Sequence, residues 1–290
     1  PTQGKNIDYK VTLYPTQKNW IYLLDMPSRA VKGAVLDRDL VSTLEKPVKE
    51  PVHYAASSAL SARFHDMLDE VTRNAALEYD PERNPRTYRQ AQKIKADFSS
   101  PMQKAKAIVT FFQTQSLTYS LQPEPLDINN TADSFLFDKR HGYCVHFASS
   151  FVTLARMAGI PARVVTGYKA DKENSLNNYL AVKERDAHAW AELYIDAHWV
   201  RYETTSTAAG IDAVTSDLLN TQGSEKETSP LLKKVNLYLM YAKYQVETWI
   251  LYYSSIRQLQ LLQYAKENPR FILLFVLSLL ALILVTFSIT

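Results

Sequence analysis

One cysteine, Cys144, stands in a chain of 290 residues, so no internal disulfide can staple this protein. A single thiol also means no Cys-x-x-Cys pair, and the six histidines offer no His-x-x-x-His spacing. Although His141 and His146 bracket the cysteine, a metal centre is therefore not expected. An excess of charge is missing too: 33 Lys and Arg against 30 Asp and Glu leave a net charge of +3, with no basic tract. Nucleic acid thus has no electrostatic footprint to grip. No internal repeat is present, and 46% hydrophobic with 22% charged residues is the composition of a globular protein rather than a disordered one.

Long uncharged runs are scarce until the end of the chain. Phe271 to Thr290 reads FILLFVLSLLALILVTFSIT, without one charged residue. That is long enough to cross a bilayer as a helix, and a transmembrane helix is expected over 271–290. Opening at Pro1 and stopping at this run, the sequence reads as a piece of a longer membrane protein. Lys266 and Arg270 precede the run, which alone favours a cytoplasmic domain, but no residue follows Thr290 for comparison.

Residues 1–60 read as a small β-rich unit. Ile7, Tyr9, Val11 and Leu13 alternate with polar neighbours until Pro15, and short apolar runs follow at Trp20–Leu24, Ala34–Leu36 and Val52–Ala56. Helices then take over. Ser100, Pro101 and Gln103 spell a capping box with proline in the first turn, opening a helix that runs to about Ser116; Leu117–Leu121 is extended. A second helix starts at Cys144, with Phe147, Ala148, Phe151, Leu154, Ala155 and Ala158 on one stripe, and is closed by Gly159 and Pro161. Strands are expected at Ala162–Tyr168, Tyr179–Lys183, His188–Ile195 and His198–Thr205. The order of helices, then antiparallel strands, is α+β. Residues 209–230 read as a linker and 231–268 as an aromatic-rich juxtamembrane helical segment, whose rings suit a bilayer interface or the underside of the preceding domain.

The placement of Cys144 is informative. A lone cysteine is most simply a small buried hydrophobe, but such a residue would fall mid-helix on the stripe. At a helix start its thiolate faces unpaired N–H groups and the positive end of the dipole, which favours the nucleophilic form. Gly142 before it permits a tight turn into the helix. A base is offered by His188, on the strand HAWAELYI, where it shares a face with Trp190, Glu192 and Tyr194. An acid is offered by Glu203. If Asp196 and Ala197 form a two-residue turn, Ile195 faces His198, Glu192 faces Arg201, Trp190 faces Glu203 and His188 faces Thr205. Glu203 then lies diagonal to His188 on one face, and a slip of one residue would turn it away. Asp186 is a second acid near His188, with a loop or hairpin role in view.

Three blocks, GYCVHFASSFVTLARMAGIPARVVTGY, DAHAWAELYI and HWVRYETT, follow in this order, and across Leu117–Ala208 the chain resembles the transglutaminase-like domain of membrane-anchored bacterial TgpA-type proteins. The flanks IDYKVTLYPTQKNWIYLLDMP, NPRTYRQAQ and TWILYYSSIRQLQLL agree more loosely. The resemblance implies a papain-like cysteine proteinase fold, with the catalytic Cys at a helix N-terminus packed on an antiparallel sheet, and a catalytic domain over 61–208. It implies Cys144 as nucleophile, His188 as general base and Glu203 as third member, where the family usually has aspartate in a D-P-T setting; Val145 also replaces a frequent glutamate. It further implies a periplasmic catalytic domain of the bacterial inner membrane, no cofactor, and acyl transfer from a peptidyl glutamine carboxamide to a primary amine through a thioester. Protein substrates, including cell-wall peptides, and the membrane are the implied partners. The Cys144 backbone N–H is the oxyanion donor suggested by the helix start, with Trp190 a possible side-chain donor. A hydrolase with the same triad and an inactive envelope scaffold are the alternatives.

Overall fold

The computed structural model describes residues 6–59, 63–170, 174–207 and 230–251. The N-terminal alternation becomes β1, Asn6–Leu13. After it come β2 (Trp20–Ile21), β3 (Met26–Pro27), β4 (Ala34–Leu36), β5 (Ser42–Leu44) and β6 (Val52–Ala59). They form two three-stranded sheets, β1-β6-β3 and β2-β5-β4. Ile21, Val31, Tyr54 and Ala56 are buried between them, with Tyr9, Val11 and Leu13 packed on. The strand expected over Trp20–Leu24 ends at Ile21, because Leu24 N–H donates to the Tyr9 hydroxyl (2.8 Å) rather than to a strand.

After β7 (Arg63–His65) come α1 (Glu70–Leu77), α2 (Pro85–Asp97) and α3 (Pro101–Thr114). The capping box of α3 forms as spelled: Ser100 Oγ accepts from Gln103 N–H, and Gln103 Oε1 accepts from Ser100 N–H. Neither α1 nor α2 was apparent from periodicity. In α2 only Thr87, Ala91 and Ile94 are buried, a stripe too small and too polar to stand out. Its start is instead pinned from elsewhere. The buried Asp133 carboxylate accepts from Arg86 N–H (2.8 Å), Thr87 N–H (2.7 Å) and Thr87 Oγ1 (2.6 Å). Asn84 Oδ1 returns the favour by accepting from Ala132 and Asp133 N–H.

The next elements deliver Cys144. Strand β8 (Thr118–Tyr119) precedes α4 (Thr131–Asp133), which runs into a π-helical turn over Ser134–Lys139. That turn ends at Arg140 in the left-handed region (φ 58°), and β9 (His141–Gly142) pairs in parallel with β8, placing Tyr119 beside Gly142. Helix α5, Cys144–Met157, follows at once. Phe147, Ala148, Leu154, Ala155 and Ala158 are fully buried and Phe151 nearly so, and the helix is closed by Gly159 at φ 82°.

Helix α5 packs on β10 (Ala162–Tyr168) and, beyond β11 (Ser175–Leu176) and β12 (Tyr179–Leu180), on β13 (Ala187–Ile195). With β14 (His198–Tyr202) these build an antiparallel sheet of order β10-β13-β14-β7. Ala189, Ala191, Leu193 and Ile195 face α5 and are buried. Glu192 is buried as well, so the opposite face of the sheet is also covered. Two expected strands are shorter than anticipated: Tyr179–Lys183 is a strand only to Leu180, and β14 stops at Tyr202, followed by a 3-10 turn at Thr204–Thr207.

A second unit joins Ser175–Tyr179 to α6 (Pro230–Leu251). Within it the Tyr179 ring packs against Tyr241 and Tyr244, at 5.8 and 5.1 Å between centroids. Among the described residues no helix is long and apolar enough to cross a membrane. The span expected over 271–290, the last part of the aromatic segment and most of the linker lie outside the described residues.

Candidate active site

Cys144 is the first residue of α5, and its position is enforced by its predecessors. Gly142 is not in the left-handed region; it is needed for close approach. A Cβ there would sit 2.7 Å from Phe135 Cε2 and 2.8 Å from His146 Cβ. The turn itself is made by Arg140. Tyr143 N–H donates to His146 Nδ1 (3.3 Å), tying the helix start. Around the sulfur are Ala148 and Ala189, with Tyr119 and Tyr143 packed on them.

The β13–β14 hairpin brings base and acid together. Asp196 and Ala197 are both left-handed (φ 51° and 59°), the backbone of a type I′ turn whose twist suits a two-residue connection. The register is the one read from the sequence: Ile195↔His198, Glu192↔Arg201, Ala191↔Tyr202. Continuing past the strand end, Glu203 Oε1 lies 2.8 Å from His188 Nε2. Thr205 Oγ1 donates to the same carboxylate oxygen (2.9 Å) and Lys169 Nζ lies 3.4 Å from the other. With Nε2 held by Glu203, the other ring nitrogen is the one left for Cys144, whose thiol and the imidazole each shift the other's titration.

The titrations follow from these contacts. Burial alone would raise the Cys144 thiol. Hydrogen bonds from His188 and from the Ala189 and Val145 N–H groups, with the imidazolium charge, outweigh it and hold the thiol below its ordinary value. For His188, burial disfavours the imidazolium, but the bonds to Cys144 and Glu203 win and push it up to about 9. Burial would likewise raise Glu203, yet His188, Lys169 and Thr205 bring it down to about 2. The shifts of all three groups favour their charged forms: thiolate, imidazolium and carboxylate.

Trp190, expected as an oxyanion donor, does not pack among the residues at the sulfur. Its ring stacks near His188 (6.2 Å between centroids, 25° between planes) and under the Arg201 guanidinium (4.6 Å); its Nε1 is buried and donates to no described residue. Arg201 faces Glu192 as anticipated, but at 3.9 Å the pairing is loose. Glu192 is held instead by Arg163 from β10, at 2.9 and 3.0 Å. Asp186 serves its turn, accepting from Lys183 N–H at 2.8 Å. The residue that the sequence reading missed is Tyr119. Burial pushes its hydroxyl up to about 12, helped by the nearby Cys144 charge, and its ring packs on the cluster around the sulfur. Only the parallel β8–β9 pairing puts it there, across 25 residues of chain, and no periodicity announces such a pair.

Residues 88–204 match the transglutaminase-like superfamily core, and residues 1–65 match the TgpA N-terminal domain. The chain is 31% identical over 208 residues to a protein-glutamine gamma-glutamyltransferase of Pseudomonas aeruginosa, covering 71% of this chain and 31% of that protein. It is 32% identical over 142 residues to protein YebA of Bacillus subtilis, covering 47% of this chain and 19% of that protein. It therefore spans a third or less of the length of these two relatives. The crystal structure of the periplasmic domain of TgpA from Pseudomonas aeruginosa bound to ethylmercury superimposes with a TM-score of 0.64 at 30% identity, covering 71% of this chain and 74% of that one. A second crystal structure of that periplasmic domain gives 0.66 at 28% identity, with 76% of each chain covered. With both of its family models matched in order along the chain, and a solved relative covered over most of its length, this chain belongs to the TgpA group of the transglutaminase-like superfamily.

Proposed function

We propose that this chain is the catalytic part of an envelope acyltransferase that joins peptidyl glutamine carboxamides to primary amines. The observation that carries this reading is one imidazole bonded to a carboxylate at 2.8 Å, on the strand whose next residue, Ala189, packs against a thiol at a helix start. In this reading the Cys144 thiolate attacks the carboxamide carbon and pushes the electron pair onto its oxygen. The oxyanion forms beside the Cys144 backbone N–H and the Tyr119 hydroxyl. His188 gives its proton to the departing ammonia as the carbon–nitrogen bond breaks, which leaves a thioester. The imidazole then removes a proton from the incoming amine, whose nitrogen takes the acyl group and returns the thiolate. Glu203 stands in the third position and keeps the imidazole ring oriented throughout.

Its location follows the relatives: the solved TgpA portion is a periplasmic domain, and the uncharged run at 271–290 is long enough to anchor this one beside a bilayer. The test is incubation with a glutamine-containing protein and a fluorescent primary amine. Label incorporation that disappears in Cys144→Ala supports acyl transfer; deamidation or cleavage without label means that water is the acceptor, and no reaction of an intact thiol means a scaffold.

A further inference from the structure

The N-terminal β unit does more than flank the catalytic region; its loop between β2 and β3 touches both strands that neighbour β13. Tyr22 packs edge-on against Tyr168 at the end of β10 (5.0 Å between centroids). Asp25 Oδ1 accepts from Arg201 Nη1 of β14 at 2.9 Å. Between those two contacts lies the part of β13 that carries His188 and Trp190, since Tyr168 pairs with Ala187 and Tyr202 with Ala191.

The contacts continue inward from Asp25 without a gap. Arg201, fixed by Asp25, lays its guanidinium on the face of the Trp190 indole, a contact in which the planar cation is attracted to the ring quadrupole. The indole is backed by Gly167, where an added Cβ would sit only 2.9 Å from Trp190 Cη2. Clamped in this way, the indole lies nearly parallel to the His188 ring. Since Trp190 Nε1 and Arg201 Nε are both buried and donate to no described residue, the stack is held through ring faces and the outer guanidinium nitrogens. Such a stack resists tilting of the imidazole while leaving its two nitrogens to Cys144 and Glu203.

We infer that Asp25, Arg201 and Trp190 are positioning residues through which the N-terminal unit holds the His188 ring in line between Cys144 and Glu203. This inference rests on the triad reading above, and it gives the first domain a task in the chemistry. The charged and titratable groups about His188 are Cys144 from α5, Tyr119 from β8 across the sulfur, Lys169 after β10, Glu203 after β14, and Arg201 behind the indole. Asp25 belongs to the outer edge of this set and is one-third exposed, so replacing it leaves the core intact.

The experiment is the pH dependence of Cys144 alkylation by iodoacetamide in the full chain, comparing the unsubstituted protein with Asp25→Asn, Asp25→Glu and Arg201→Met. Loss of the Asp25 charge by itself would favour the thiolate and lower the alkylation midpoint. Loss of positioning weakens the imidazolium partner and raises it, so the two effects have opposite signs. The inference expects Asp25→Asn and Arg201→Met each to raise the midpoint by about one unit, roughly a tenfold slower alkylation on the acidic side. Asp25→Glu should keep the original midpoint, and the Asp25→Asn, Arg201→Met double variant should go no further than the stronger single change. A midpoint that stays put or falls in Asp25→Asn, with circular dichroism showing a folded protein, overturns the inference and leaves the contact purely structural. An ordinary thiol midpoint in the unsubstituted chain overturns the triad reading instead.

Discussion

At the scale of single residues, the site rests on which proton sits where. Cys144 ionises below its ordinary value and His188 holds its proton up to about 9, so the thiolate–imidazolium form occupies the interval between. Amine incorporation should therefore show a bell-shaped kcat/KM profile, rising as Cys144 deprotonates and falling as His188 loses its proton near pH 9. A single ascending limb through the ordinary thiol range would contradict it. Glu203 is the departure from the usual aspartate, and its length suits a partner placed on the diagonal. Glu203→Asp withdraws the carboxylate from the 2.8 Å contact, and Glu203→Gln removes its charge. Both should cut kcat by about a hundredfold or more, the range of a misplaced acid–base partner, with little change in KM. Equal activity in Glu203→Asp would show that the extra methylene has no role.

Among the secondary elements, legibility followed periodicity and turn chemistry. Helix α5, the capping box of α3 and the β13–β14 register were readable because each depends on residues close in sequence: a six-residue apolar stripe, a Ser-to-Gln spacing, a two-residue turn. What stayed hidden depends on distant partners. Helix α2 is capped by Asp133, α4 in turn by Asn84, and Tyr119 reaches Cys144 through a two-residue parallel pair. The Asp196–Ala197 turn carries its own prediction. Ala197 holds φ at 59°, where a Cβ costs about 1 kcal/mol. Ala197→Gly should raise the thermal midpoint by the equivalent of about 0.5–1 kcal/mol, read by calorimetry; a lower midpoint would mean that the turn is not I′. Gly142→Ala should do the opposite, costing about 1–3 kcal/mol by overpacking against Phe135 and His146, and should slow Cys144 alkylation as the helix start shifts.

Over the whole molecule, buried polar groups tie together helices that are far apart in sequence. Removing the Asp133 carboxylate strands two N–H groups and a hydroxyl in a buried place. Asp133→Ala should therefore lower stability by about 2–4 kcal/mol, measurable by urea unfolding, and a loss within 0.5 kcal/mol, about the noise of a surface change, would refute the capping account. Stability also depends on pH through the His188–Glu203 pair. The His188 share is full below its ordinary 6.5 and is lost as pH rises through about 9. The Glu203 share is full above its ordinary 4.5 and is lost as pH falls through about 2. The stability advantage over Glu203→Gln should thus be greatest between those two ordinary values and shrink on either side.

The reading of this chain as an acyltransferase stands or falls on the partnership between the thiol and the imidazole. The most direct measurement is the rate of Cys144 alkylation by iodoacetamide against pH, in the unsubstituted chain and in His188→Ala. A midpoint well below the free-thiol value of about 8.5, returning to that value or above when the imidazole is removed, is the predicted result. A midpoint that matches a free thiol in the unsubstituted chain, unchanged by the loss of His188, would contradict it.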